Sequence, residues 1–296
     1  MTRWTHVGTA LRDARHALVD RGEAGRLEAQ LLVAGAAGRS RSWVLAHPEA
    51  PLHPLQSGTL ETWLVRFTSG QPLPYLLGEW EFFGRRFEVN AAVLIPRPES
   101  EMLVEAGLSF LRRRGGPARV LDVGTGSGCL AVSLAAEYEA AQVVASDLSW
   151  AALCVARRNT IAHGLLARVD FLQADLLPPI AGSVDLLVAN LPYVPSRRVE
   201  RLQVAQSARS ARSELREGRE PRLALDGGHD GLDLIRRMLP SIPRSLSEGG
   251  RALLEIDSSQ AQPVLALIRR SLPTWNAAIA RDLAGRDRLL VLDRLD

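Results

Sequence analysis

Apolar residues recur at two different periods along this chain, and the change between them divides it. Val7, Leu11, Ala14 and Leu18 stand three and four apart, as do Leu27, Leu31 and Ala34, with charged and small polar residues between. That is the spacing of helices with one buried face, so residues 1–66 read as helices and 1–78 as a small helical, substrate-recognition domain. The period then shortens. GEWEFFGRRFEV and AAVLIP read as two strands with a turn at Asn90, a β-hairpin linker over 79–95. Beyond it, buried strand-length runs alternate with helical ones. ARVLDVG, AQVVASD, ARVDFLQAD, SVDLLVAN and RALLEID read as strands, with LLVLDRL a further one. CLAVSLAAEY, SWAALCVARRNTIAHG and GLDLIRRMLPSIPRSL read as helices. Such alternation predicts an α/β, Rossmann-like domain over 96–296, its parallel sheet covered on both faces. Ligands in such sheets lie beyond the carboxyl ends of the strands.

Composition narrows the class. The chain has 296 residues, 46% of them hydrophobic, enough for a sizeable core. Its formal net charge is only +3, which does not by itself indicate nucleic-acid binding. Cys129 and Cys154 are too few for a disulfide framework or a cysteine-built zinc site, and no metal is expected. The first residues lack the apolar core of a signal peptide, and no stretch has the length of a membrane span. The expectation is a cytoplasmic protein without a membrane partner. One segment stands out: residues 196–222 carry eight arginines. It reads either as a solvated helix or loop, or as a contact surface for an acidic partner or RNA. Direct nucleic-acid binding is not expected, though the arginines at 197–222 leave it open.

The candidate chemistry falls at strand ends. VLDVGTGSGCLAV is a strand, a glycine turn and a helix start. Gly124, Thr125, Gly126 and Gly128 bring backbone close to a ligand and aim first-turn N–H groups at it. The spacing is not that of dinucleotide-binding enzymes, and no lysine completes a phosphate loop. Asp147 ends the next strand, where a carboxylate can accept both hydroxyls of a ribose, although Asp147 or Ser149 could equally cap the following helix. Asp175 could accept from an adenine amine, with Leu176 against the ring. Together they favour an adenosine-bearing ligand. With no phosphate clamp or nicotinamide pocket evident, S-adenosylmethionine fits, leaving as S-adenosylhomocysteine.

The next strand runs into VANLPYVP. Asn190 carries an amide oxygen and Leu191 a carbonyl, both acceptors. Pro192 biases Leu191 away from helical geometry, and Tyr193 offers a flat face. This group fits a planar substrate bearing NH₂: an adenine, a cytosine or a glutamine side chain. Methylating such a nitrogen needs orientation more than a strong base. A bland reading is a strand-ending turn with Asn190 bonded to its own backbone.

These motifs resemble those of the bacterial release-factor glutamine methyltransferases, the PrmC/HemK family. The resemblance rests on DVGTGSG (122–128), NLPY (190–193), GQPLPYLLGEWEFFGRRF (70–87), LIPRPESE (94–101), EPRLALDGGHDGLD (220–233), LLEIDSSQ (253–260) and GRDR (285–288). It implies transfer of a methyl from S-adenosylmethionine to N5 of the glutamine in the GGQ motif of class I peptide chain release factors. It also implies a helical N-terminal domain gripping the factor and a seven-stranded sheet with one reversed strand. Gly124, Gly126 and Gly128 then take the cofactor loop, Asp147 the ribose position, and Asp175 with Leu176 the adenine side. Asn190 and Tyr193 take the glutamine, with the Leu191 carbonyl as second acceptor and Asn190 also beside the cofactor. Arg97, Glu99 and Glu220 border the substrate. Three departures stand out. Leu191 replaces a usual proline, Asp257 a usual glycine, and the stretch from Tyr193 to Glu220 is longer and richer in arginine.

Other readings remain on the sequence. An adenine-N6 methyltransferase of DNA or RNA would share the loop and NLPY, and would use the arginine segment to hold phosphates. A non-catalytic binding module or a nicotinamide-dependent oxidoreductase fits less well. Glu99 could simply favour the positive end of the helix EMLVEAGLSFL. His229 and Asp230 lack a third metal ligand at sensible spacing, so a turn after Gly228 is the simpler reading. Trp80, Phe82, Phe83 and Phe87 read as hairpin core.

Overall fold

The computed structural model describes residues 3–180, 182–207 and 220–294, with the side chains of 203–207 left aside. Two compact units divide at Gly78 and Glu79. The first is helical: α1 (Val7–Ala17), α2 (Gly22–Ala37), α3 (Arg41–Ala46), α4 (Pro54–Thr68) and α5 (Leu73–Leu77). Local chemistry sets the helix starts. The Ser40 hydroxyl accepts from Trp43 N–H, and α4 opens with Pro54 behind a reciprocal His53–Gln56 cap. Val7, Leu11, Ala14 and Leu18 are buried, as their spacing predicts. In α2 the expected stripe is offset. Ala34 is buried and Leu31 packs against the core as expected, but Leu27 is exposed, and the buried face also takes in Ala29, Leu32, Val33, Ala36 and Ala37.

The second unit opens with a hairpin, β1 (Glu79–Phe82) and β2 (Arg85–Glu88). Its turn is at Phe83–Gly84, not Asn90, and both residues have positive φ. That is the backbone of a tight two-residue hairpin turn, usually written with Asn-Gly, which is why Phe-Gly escapes a sequence reading. Residues 91–96, expected as a strand, form a turn and an extended segment outside any strand. Phe82 and Phe87 meet edge to face in the core, as expected of hairpin aromatics.

Then follow α6 (Glu101–Arg114), β3 (Ala118–Val123), α7 (Cys129–Glu137), β4 (Ala141–Asp147), α8 (Trp150–Ala162), β5 (Val169–Gln173), β6 (Val184–Ala189) and α9 (Ser196–Ser207). The chain ends with α10 (Asp233–Met238), α11 (Ile242–Ser245), β7 (Leu246–Glu255), α12 (Ala261–Ser271), β8 (Trp275–Arg281) and β9 (Asp287–Arg294). GLDLIRRMLPSIPRSL is thus not one helix. Pro240 and Pro243 leave two short helices joined by a 3₁₀ turn.

The sheet has seven strands in the order β5-β4-β3-β6-β7-β9-β8, and β9 alone runs against the rest. Consecutive residues of its central strands serve opposite faces. Leu186 and Val188 pack with α6 and α7 residues, while Leu187 and Ala189 pack with α10 and α12 residues. Past Asp185, β6 is therefore apolar on both sides, and it is buried throughout. Asp147 and Asn190 fall at, or just past, the carboxyl ends of β4 and β6, the two strands that flank β3. Among the described residues, no helix is long and apolar enough to cross a membrane.

Candidate active site

A cavity of about 360 Å³ opens at the carboxyl ends of β3, β4, β5 and β6. Of the residues singled out from sequence, Gly124, Thr125, Gly126, Asp147, Asp175, Leu176, Asn190, Leu191, Pro192 and Arg97 line it. Gly128, Tyr193, Glu99 and Glu220 do not.

One side is built from backbone. Gly124 N–H and Thr125 N–H both donate to the Ser146 carbonyl, at 2.8 and 2.9 Å, which ties the turn after β3 to the end of β4. Gly126 N–H donates to Asp147 Oδ2 at 2.9 Å, and Ser149 N–H to Asp147 Oδ1 at 2.8 Å. Burial pushes the Asp147 carboxyl up, and these N–H groups oppose the push. Ser149, rather than Asp147, caps α8 by accepting from Ala152 N–H. Gly124 has φ +73°, and a Cβ on it would stand 3.2 Å from Leu191 Cδ2. Only glycine suits both conditions. Gly128 lies behind the turn, capping α7 against Ala156. Leu176 holds a left-handed backbone, φ 64°, a strained conformation for a leucine at the cavity wall. Asp175 is half exposed and paired with Arg237 at 2.6 Å.

Beneath the turn lies Asp122, fully buried. Its Oδ2 accepts from Thr125 Oγ1 at 2.7 Å and Ala131 N–H at 3.1 Å, while Oδ1 finds no donor. Burial raises its carboxyl to about 7 despite those two bonds.

The other side is built from side chains far apart in sequence. Asn190 Nδ2 donates to Ser100 Oγ at 2.8 Å. Ser100 Oγ donates to Glu255 Oε2 at 2.6 Å, and Tyr193 Oη donates to Glu255 Oε1 at 3.2 Å. Glu255 ends β7, beside Asn190 just past β6, because Ala189 and Leu254 are register partners. Burial pushes the Glu255 carboxyl up, opposed by the Ser100 and Tyr193 hydroxyls and by Arg288. Burial, with the Glu255 charge beside it, also pushes the Tyr193 phenol up, so it stays a donor. Gln260 Nε2 holds the Tyr193 carbonyl at 3.0 Å. Asp257 starts the short turn that carries Gln260: it accepts from Ser259 N–H, while Gln260 Oε1 accepts from Asp257 N–H. That gives this departure from the family pattern a structural task.

The segment 220–233 straps this side, with Pro221, Leu223, Ala224 and Asp226 in the cavity wall. Val194 N–H donates to Leu225 O and Gly227 N–H to Val194 O, each at 2.9 Å. A Cβ on Gly231, φ +83°, would stand 2.1 Å from the Tyr193 carbonyl, so glycine is required there. Glu220 is buried, taking Ile95 N–H at 2.8 Å and the Arg97 guanidinium. It therefore fastens two loops together rather than facing the cavity, whereas Arg97 does face it. Glu99 is exposed outside the cavity. His229 N–H and Asp230 serve turn contacts, Asp230 with Arg236. Among the described residues, no cluster of three or more His, Cys, Asp or Glu could hold a metal. Of the arginine segment, residues 208–219 lie outside the described residues.

Ser100, Glu255, Gln260 and Asp122 were not singled out from sequence. Glu255 left a signal: a carboxylate between buried Leu254 and Ile256 at a strand's carboxyl end. Ser100 left none, since its partners are 90 and 155 residues away.

The fit to an adenosine-bearing cation can be judged on these residues. The cavity has the size of a small-molecule site, its backbone side accepts no side chain at Gly124, and Asp147 and Asp175 put carboxylates on its wall. A nucleoside diol, which donates, and a positive charge suit those acceptors.

Comparison with known proteins gives the same outline. A family model for the PrmC N-terminal domain matches residues 9–78, and one for the methyltransferase small domain matches residues 100–225. A release factor glutamine methyltransferase of Moorella thermoacetica is 42% identical over 298 residues, spanning 99% of each chain. One of Geobacter sulfurreducens is 38% identical over 289 residues, spanning 97% of this chain and 96% of that one. A crystal structure of a methyltransferase from Pyrococcus furiosus shares the fold at a TM-score of 0.51, with 16% identity, over 72% of this chain and 89% of that one.

Proposed function

The chain belongs to the release factor glutamine methyltransferases, and on that footing we propose that Asn190, Leu191 and Pro192 hold and orient the glutamine, with Tyr193 bracing them through Glu255. Its second unit has the seven-stranded class I methyltransferase fold. The protein is an S-adenosylmethionine-dependent enzyme that methylates a glutamine side-chain nitrogen of a peptide chain release factor. The target, in this proposal, is the glutamine of the GGQ loop of class I factors.

The observation that carries the residue assignment is the position of Asn190 and Leu191 in the wall of one cavity with the glycine turn. When bound, S-adenosylmethionine supplies a methyl on a positively charged sulfur that departs as a neutral thioether. The chain supplies orientation. Asn190 Oδ1 and the Leu191 carbonyl accept the two N–H groups of the glutamine amide, which directs its nitrogen and stabilises positive charge developing there. As the nitrogen–carbon bond forms, conjugation with the carbonyl is lost and the nitrogen becomes acidic. Its proton passes to water, so no buried base is required. Gly124, Thr125 and Gly126 place backbone against the cofactor, Gly128 supports the turn from behind, Asp147 accepts the ribose hydroxyls, and Asp175 with Leu176 borders the adenine. Arg97 faces the substrate side. Glu99 and Glu220 act outside the cavity, Glu220 by fastening Arg97.

The test is transfer of labelled methyl to a purified unmethylated release factor, with mass spectrometry to locate it. A factor whose GGQ glutamine is alanine and duplex DNA and RNA run in parallel. Label on that glutamine, lost with the alanine factor and with Asn190→Ala enzyme, is the expected result. Label elsewhere on the factor or on nucleic acid would overturn it.

A further inference from the structure

Resting on the reading of Asn190 as the amide acceptor, we infer that Glu255 and Ser100 are positioning residues that fix which end of the Asn190 side chain faces the substrate. A primary amide has an acceptor and a donor of nearly the same shape. Turned over, Asn190 would offer NH₂ to the glutamine NH₂, and the two would repel. Sterics do not decide between the orientations, so hydrogen bonding must.

The bonds around Ser100 decide it. A carboxylate only accepts, so the single Ser100 O–H goes to Glu255 Oε2, at 2.6 Å. Ser100 Oγ is left with lone pairs alone toward Asn190. Asn190 can meet it only with Nδ2, at 2.8 Å, which leaves Oδ1 for an incoming N–H. Glu255 and Ser100 are both buried, at 3% and 2% exposure, so water does not compete for either bond. The second Glu255 oxygen takes the Tyr193 hydroxyl at 3.2 Å. One carboxylate thus directs the amide acceptor through Ser100 and anchors the Tyr193 hydroxyl directly. Glu255 itself lines no part of the cavity.

The test compares Ser100→Ala, Ser100→Thr, Glu255→Gln, Asn190→Ala and the double variant Ser100→Ala/Asn190→Ala. Each is assayed for kcat and KM on an unmethylated release factor, with S-adenosylmethionine affinity by calorimetry as the check on folding. Glu255→Gln is isosteric but can donate to Ser100, which frees Ser100 to hold Asn190 the wrong way round. Both Ser100→Ala and Glu255→Gln are expected to lower kcat by roughly 10- to 100-fold with cofactor affinity kept. Ser100→Thr, which retains the hydroxyl, should recover most of that loss. In the double variant, loss of Ser100 should cost nothing beyond Asn190→Ala, because it acts through that residue. If Asn190→Ala is inactive while Ser100→Ala and Glu255→Gln keep kcat within about threefold, the positioning role is overturned and the reading of Asn190 stands. Additive losses in the double variant overturn it too, as mere structural damage. An active Asn190→Ala would remove the acceptor reading itself, and this inference with it.

Discussion

The two sides of the cavity are held by different means. The glycine side is fixed by short-range bonds between neighbouring strands: main-chain bonds from Gly124 and Thr125 to Ser146, and one from Gly126 N–H to the Asp147 carboxylate that ends β4. The amide side is fixed by buried side chains drawn from 90 and 155 residues away, Glu255 to Ser100 to Asn190. A main-chain cradle can meet any ligand of the right shape and charge. A side-chain relay selects for one arrangement of donors and acceptors. The first suits a cofactor bound and released each turnover; the second suits a substrate whose nitrogen must be aimed.

The difference can be broken most sharply by striking each side alone. Asn190→Ala should lower kcat by about 10²- to 10³-fold, with S-adenosylmethionine affinity unchanged. Gly124→Ala should do the reverse. A side chain at φ +73°, 3.2 Å from Leu191, distorts the cradle, and cofactor Kd should rise roughly tenfold or more while kcat at saturation falls less. Calorimetry beside steady-state kinetics separates the two; equal effects of both variants on kcat and Kd would dissolve the comparison.

A smaller effect concerns Asp122 under the cradle. Its carboxyl stands near 7 in the fold against 3.8 outside it, because burial disfavours the charge. The folded chain therefore keeps a proton that the unfolded chain has lost across that interval. The stability linked to Asp122 is fully present below about pH 4 and is lost as pH rises through about 7. Asp122→Asn carries no such charge, so its stability relative to the parent should improve between pH 5 and 8, by up to a few kcal/mol. Urea unfolding at both pH values measures it, and an unchanging difference would contradict the burial argument. Smallest should be Leu191→Pro, which keeps the carbonyl but gives up the contact with Gly124; kcat should stay within about threefold of the parent.

The same contrast sets what was legible in the sequence. The cradle is a local spacing, so the sequence places Gly124, Gly126 and Asp147 at strand ends, and the NLPY run places Asn190 at another. The central strands were visible because they are apolar on both faces. β8 was not, since WNAAIAR alternates small and half-exposed residues at the sheet edge. Leu27 misled because size suggested burial where alanines in fact pack. Ser100 could not be seen, for its role exists only once the end of β7 lies beside the end of β6. Glu220 was assigned to substrate but is turned inward, a matter of side-chain direction that residue type does not reveal.

The paired bonds between Val194 and the strap residues Leu225 and Gly227 carry an engineering consequence. They close the excursion from Pro195 to Asp226 at its base, like a staple across the neck of a bag. Lengthening a closed loop costs only about 0.6 kcal/mol per doubling. Asn190 itself is held by Ser100, and residues 220–226 fasten Arg97 and line the cavity, so an insertion has to leave that end of the excursion intact. A reporter or affinity module grafted well before Glu220 is expected to travel with the catalyst at little cost to the neck.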